Sequence, residues 1–398
     1  MWTRLTSGAG RLARWPLPIV VACALVAPSA ATAAERCAPG QFDRGGTCTS
    51  FRAAARRAVE ITRSVMGTEG GRAAIVRVDI GGRTLVDRGF GQSMEGVPAS
   101  RDMHFRPGAM VIPMLSTLLL QLQDARRLDL DDRLSRWFPS FPNADRVTLR
   151  QLASSTSGYP DYLQGNLPFQ TALHADVFRH WTDDELLEYA FDRPLVCAPG
   201  ACFHYAHTNF IVLGRVVEQV TGRSVASLIR SRFLGPLRLT HTRISKLPGI
   251  PAPALHAYTT DRGVYEDATT WSPSWGIGEG MVMTSTAGDM IRMIRAIGSG
   301  RLFSKAAARQ LTTPLSRGLP GSPASIEYGL GIDVANGWML QNPQFNGYVG
   351  ILAYLAQRRI AIVVENTNGP DVADGQAISG TITKRLTQYL TPDRPIAK

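Results

Sequence analysis

Lysine is scarce in this chain. Lys246, Lys305, Lys384 and Lys398 are the only four among 398 residues, so arginine supplies nearly all of the 43 basic side chains. Arg243, Leu302, Thr381 and Pro395 stand three residues before them, so no Ser-x-x-Lys occurs anywhere. A Gly-x-Ser-x-Gly elbow is also missing, which removes the strained strand-to-helix turn that exposes a serine nucleophile in many hydrolases. The seven histidines (104, 174, 180, 204, 207, 241 and 256) include no His-Glu-x-x-His, and no acid stands at ligand spacing, so no metal is expected. No basic run is interleaved with aromatics, which argues against a nucleic-acid partner. Internal repeats and long low-complexity linkers are absent too.

With 44% hydrophobic and 19% charged residues, the chain can bury a sizeable core. Arg4, Arg11 and Arg14 lead into "PLPIVVACALVAPSAATAA", a basic start, an apolar run and a small-residue site at Ala31-Thr32-Ala33. This pattern predicts a secretory signal over residues 1–33, cut after Ala33, with no transmembrane span in the mature chain. A lipid anchor at Cys23 is the rival reading, against which the apolar run continues past the cysteine. Cleavage removes three arginines and no acid, taking the formal net charge from +11 to +8. The destination is secreted, periplasmic or cell-envelope.

The mature chain keeps Cys37, Cys48, Cys197 and Cys202, and four cysteines allow three pairings. The local pairs, Cys37–Cys48 and Cys197–Cys202, are favoured because each brackets a Pro-Gly turn, and an oxidising compartment permits them. The first pair bounds a short segment, residues 34–50, ahead of one large domain over 51–392.

"FRAAARRAVEITRSVM" reads as an amphipathic helix. "AAIVRVDI" and "RTLVDRGFG" flank Gly81-Gly82 as a hairpin. From 113 to about 270 the pattern is mostly helical. One helix covers "MLSTLLLQLQDARR", another starts at Thr182 with Glu185 reaching back, and a third runs through "FIVLGRVVEQV" to Gly222. Strand-like segments return at "EYGLGIDV", "WMLQN", "ILAYLAQ" and "IAIVVENT", with Asn336-Gly337 as a tight hairpin turn between the first two, before a last helix near "GQAISGTITKRLTQYL". The fold class expected is α/β, an antiparallel sheet flanked by helices with a helical lobe.

Several segments carry a resemblance: "RRLDLDDRLSRWFPSFPNADRVTLRQL", "TSGYPDY", "TNFIVLGRVVEQVTGRS", "FLGPLRLTHT", "GMVMTSTAGDMIRM" and "YGLGI". Over roughly residues 51–390 the chain resembles the serine β-lactamase superfamily, in the branch of class C β-lactamases, DD-peptidases and related esterases. That resemblance implies a Ser-x-x-Lys nucleophile pair, a Tyr-x-Asn proton relay, and a Lys- or His-x-Gly strand that handles substrate charge.

Here the first pair falls on Ala109 and Ile112, the second on Tyr205 and His207, and the third on Phe345 and Gly347. The phenol and the glycine remain, while both members of the nucleophile pair are gone. By the same analogy, the N–H groups of Ala109 and Tyr348 could form an oxyanion hole, with Gly347 and Tyr348 on the ligand side. Pro113, tolerated only in a helix's first turn, predicts a helix starting near 113 and a loop over 109–112. Ser116 reads as a helix serine, and Ser285 and Thr286 as a helix cap. Trp275, Phe345 and Tyr348 can line a groove or belong to the core, and Glu279 can face the cleft or solvent.

The function expected is an exported hydrolase-fold protein without the catalytic machinery, binding a small molecule or cell-envelope component, with no cofactor. The alternative is an active hydrolase of ester, amide or peptide-like substrates using Tyr205 and His207. A purely structural envelope role is a third reading.

Overall fold

The computed structural model describes residues 37–278, 280–372 and 377–396. The signal, Cys23 and Glu279 lie outside the described residues. A nine-stranded sheet dominates, and every neighbouring pair in it is antiparallel. The N-terminal hairpin, Gly71–Ile80 with Arg83–Met94, joins the C-terminal strands by pairing with Ile360–Asn368. Beyond that strand the order runs through Tyr348–Leu355, Trp338–Gln341 and Asp333–Ala335 to Glu327–Tyr328. Asn336 and Gly337 both take positive φ (49° and 84°), as a tight two-residue hairpin requires.

Alternation along the strands splits the core. Ala74, Val76, Val78, Ile360, Ile362 and Val364 face helices Phe51–Thr68 and Ile378–Leu390 in one apolar cluster. Ala73, Ile75, Ala361 and Val363 face the other side, with helix Ala287–Gly298 and, further out, Ile112–Asp124 and His207–Thr221. Those two outer helices and their connecting loops form the helical lobe, so the expected fold class is observed. Both local disulfides, Cys37–Cys48 and Cys197–Cys202, are formed.

Helix Ile112–Asp124 is anchored almost entirely by apolar burial. Ile112, Met114, Leu115, Leu118, Leu119 and Leu120 are all buried, each worth roughly 1.5–3 kcal/mol relative to exposure. Its N-cap, Val111, makes no side-chain cap bond, a deficit of only about 1 kcal/mol. Burial therefore wins easily, and Pro113 sits in the first turn where its missing N–H costs nothing. The residues before it, Gly108–Val111, form a 3-10 turn. This corrects the expected loop over 109–112: the chain is helical through that stretch, and Pro113 is accommodated rather than disruptive.

Gly331 fixes where this helix sits. Its φ is +65°, and a β-carbon there would come within 2.4 Å of Ser116 Oγ and 2.7 Å of Ile112 Cγ2. Its N–H donates to Ala153 O and its carbonyl accepts from Gln341 Nε2, both at 2.7 Å. Gly331→Ala is expected to destabilise the protein by about 1–3 kcal/mol, through overpacking and left-handed backbone. Urea unfolding of the two proteins measures it. A variant as stable as the parent would mean that the helix can shift at no cost.

Candidate active-site cleft

A cleft of about 790 Å³ opens between the sheet and the helical lobe. Ala109, Tyr205, His207, Phe345, Gly347 and Tyr348 all line it. Ile112 does not. It is completely buried and packs toward Gly331, so the position expected to carry a basic nitrogen faces the apolar interior. Ala109 is half-buried at the cleft wall. Its neighbour Gly108 has φ +48°, and a β-carbon there would stand 2.8 Å from Pro343 Cβ, so the turn and the strand Gln344–Phe345 press close together. Ser116 lies beside Gly331, away from the cleft lining.

His207 opens helix His207–Thr221, and its Nδ1 lies 2.8 Å from Oδ2 of Asp161. That carboxylate is fully buried, and its other oxygen accepts from the Leu163 N–H at 3.1 Å. Two fixed bonds therefore orient the acid, and the acid orients the ring. The Tyr205 ring stands edge-on to His207, with centroids 5.1 Å apart. Although Tyr205 keeps some exposure, burial around its hydroxyl drives the phenol well above its ordinary pKa. Asp161 and Asp333 push it further the same way. Among the described residues no lysine stands near to favour the phenolate, so Tyr205 is a neutral hydrogen-bonding group at physiological pH.

The third motif has become apolar. Phe345 stacks on Trp275 with centroids 4.3 Å apart and planes 13° from parallel, while Trp275 Nε1 donates to Asn346 Oδ1 at 3.2 Å. A β-carbon at Gly347 would run into the backbone of Tyr258, whose oxygen would lie 2.4 Å away, so this glycine makes room for the protein's own chain. The Tyr348 hydroxyl donates to Leu255 O at 2.6 Å in a buried position, which commits its side chain to structure. Its contribution to the cleft is therefore its backbone.

Three further charged groups line the cleft, exposed Asp261 among them. Arg106 is 2% exposed and donates from Nη2 to the carbonyls of Leu247 and Pro248. Burial lowers its pKa to about 10, opposed by Tyr348, so it stays protonated at neutral pH. Asp333 sits opposite Tyr328 across the strand pair. Part of its surface reaches the cleft, yet burial of the carboxyl pushes its pKa up to about 7.

Comparison with known proteins fits this geometry. Residues 58–379 match the model of the Beta-lactamase family. The chain belongs to the Beta-lactamase family. It is 26% identical over 330 residues to a putative penicillin-binding protein, PbpX, of Bacillus subtilis, covering 81% of this chain and 75% of that one. It is 25% identical over 350 residues to penicillin-binding protein 4* of the same organism, covering 80% and 73%. Among solved structures, a D-stereospecific amidohydrolase from Streptomyces sp. superposes with a TM-score of 0.71 at 25% identity, covering 85% of this chain and 98% of that one. The octameric penicillin-binding protein homologue from Pyrococcus abyssi reaches the same TM-score at 17% identity, over 85% and 78%, a likeness of fold.

Within this Beta-lactamase-family chain the cleft gathers the six motif positions except Ile112. The sequence reading missed Asp161, Arg106 and Asp333. Asp161 lies inside "TSGYPDY" and Asp333 directly follows "YGLGI", but no spacing rule marks the first as a partner of His207 or the second as lining the cleft.

Asp333 gives a pH signature. Its carboxyl binds a proton more tightly when folded, so its contribution is present at low pH and lost as pH rises through about 7. Stability should fall between about pH 4 and pH 7 by on the order of 2 kcal/mol, allowing for partial exposure. Asp333→Asn should flatten that fall. Glu365, buried and raised in the same direction, keeps a residual slope in the variant. Urea denaturation across pH measures both, and an unchanged slope in Asp333→Asn would remove Asp333 from the account.

Proposed function

We propose that the protein is an exported, non-hydrolytic member of the family that binds a ligand or partner in the retained cleft. The observation that carries this reading is the pair Ala109 and Ile112. At the turn facing the cleft there is a methyl group, and one helical turn on there is a fully buried isoleucine. Neither atom set can form an acyl-enzyme or take a proton from a nucleophile. The Phe345–Trp275 stack replaces a substrate-binding cation with an apolar wall. The relatives' names refer to penicillin binding and to amide hydrolysis. On this reading the chain keeps the shape of their cleft and has lost the covalent step. Export rests on the sequence of residues 1–33, and the two disulfides and the absence of a membrane-spanning helix among the described residues agree with it.

One observation favours a second reading, in which His207, held by buried Asp161, acts as general base on a water molecule. Tyr205 would then donate a hydrogen bond, since its environment keeps the phenol protonated.

Incubation of the mature protein with a fluorescent penicillin and a fluorophosphonate, beside a class C β-lactamase, is expected to give no adduct by intact mass. An adduct on any cleft serine would sink the non-hydrolytic reading. Adduct-free ester turnover abolished by His207→Gln would establish the second one.

Restoring the nucleophile pair alone should not restore the enzyme. Ala109→Ser with Ile112→Lys puts an ammonium into an apolar interior, where desolvation disfavours its charge. Phe345 and His207 would remain, and groups that act as a unit are poorly repaired singly. Nitrocefin turnover is expected to stay near the parent's. Rates on the order of 1–1000 per second, ordinary for enzymes, would show that the defect is confined to those two residues.

A further inference from the structure

Loss of the family's two cationic positions leaves an uncompensated acid in the cleft. Of the residues lining it, Arg106 is the only arginine or lysine, and its Nη2 is tied to two carbonyls of a neighbouring loop. Asp333 has no basic side chain paired with it among the described residues. Strand register places it directly opposite Tyr328, and such pairs share one face of the sheet at side-chain contact distance. Rings gather there. Phe203 lies 5.4 Å from Tyr328 between centroids, and Tyr205 stands nearly perpendicular to Tyr328 at 5.9 Å. All four residues line the cleft.

We propose that this end of the cleft binds an organic ammonium ion, with the Asp333 carboxylate as counter-charge and the rings of Phe203, Tyr205 and Tyr328 as its walls. The proposal rests on the reading of the cleft as a ligand site and names the class of ligand. Aromatic faces attract a cation, and the attraction grows when water is excluded. A carboxylate in a partly desolvated position gains more from a bound cation than one in bulk water does. The chain's formal charge of +11 opposes cations at long range. At physiological salt, however, that repulsion is screened within about 8 Å, so the local carboxylate decides. Arg106 keeps Nε and Nη1 without a partner, but it makes no ion pair with Asp333, whose carboxyl is shifted by burial alone, so an anion placed among these rings would face that charge directly.

The pH dependence follows from the groups that face Asp333. Tyr328 and Tyr205 are its titratable neighbours, both held neutral. His207, bonded to Asp161, stands beyond Tyr205. Burial keeps the Asp333 carboxyl largely protonated below about pH 7, and only the ionised form attracts a cation.

The test uses benzyltrimethylammonium, whose charge does not titrate, and phenylacetate as its anionic counterpart. Each is titrated by calorimetry into the protein with both disulfides intact. Benzyltrimethylammonium is expected to bind about tenfold tighter than phenylacetate at about pH 8. Its affinity should rise about tenfold or more between about pH 5.5 and 8.5, as the binding-competent carboxylate becomes populated. Asp333→Asn, checked for a cooperative thermal transition, should lose both the preference and the pH dependence. Tighter binding of phenylacetate, cation binding that ignores pH, a pH dependence unchanged in Asp333→Asn, or no binding of either probe overturns the proposal. Should the variant fail to fold, the parent's pH profile and probe preference decide alone. Ester hydrolysis is followed in the same samples. Turnover there would overturn the non-hydrolytic reading while leaving the ammonium result to stand or fall by itself.

Discussion

The seating of helix Ile112–Asp124 against Gly331 governs what the cleft can do. The helix carries six buried apolar side chains from its first residue onward, and no polar group at position 112 would be satisfied there without rearrangement. Gly331 admits the helix because it has no side chain, and Ala153 and Gln341 pin the glycine on both sides. A lysine in this family's pattern must present its amine to a hydroxyl three residues earlier. An isoleucine at the same place instead completes the core. The helix thereby gains apolar burial, and the cleft loses a cation that would have set the ionisation of everything around it.

That loss propagates through the electrostatics. Tyr205, without a neighbouring ammonium, is pushed upward by burial and by Asp161 and Asp333, so the phenol is a hydrogen-bonding group and not a base. Asp333, equally unneutralised, holds its proton to about pH 7. Arg106, the arginine in the cleft lining, spends Nη2 on two backbone carbonyls and leaves Nε and Nη1 without a partner. In the cleft lining, the well-oriented acid–base element is His207 with Asp161, and its orientation comes from the buried carboxylate being held by the Leu163 N–H as well.

Much of the fold was legible because its determinants are local. Alternating apolar residues in "AAIVRVDI" and "IAIVVENT", the Asn336-Gly337 turn, the Thr182–Glu185 capping box and the Gly222 stop each act over a few residues, and each appears where expected. The two disulfides follow the same rule. Pro113 misled because a proline can either break a helix or begin one, and the decision lies in tertiary burial of the residues after it. The cleft was legible only where family motifs mark positions. Arg106 and Asp333 are brought to it, and Asp161 to His207, by strand register and loop packing between segments far apart in the chain, and single-residue spacing carries no trace of that.

The replaced positions are not scattered damage. Ala109 leaves a methyl at the wall and Ile112 fills the core. Phe345 finds Trp275 at stacking distance, while His207 finds a buried acid at hydrogen-bond distance. Random loss of a catalytic site would leave unpaired polar atoms or gaps, each costing on the order of 1–3 kcal/mol. At Ile112, Phe345 and His207 the side chains are packed or hydrogen-bonded instead, while unpaired buried polar atoms remain on Arg106 and Tyr328. The cleft remains open, lined by an aromatic stack and by a carboxylate beside a cluster of rings. A cavity lined by packed side chains, with His207 held by a buried acid, is what the proposed binding role requires.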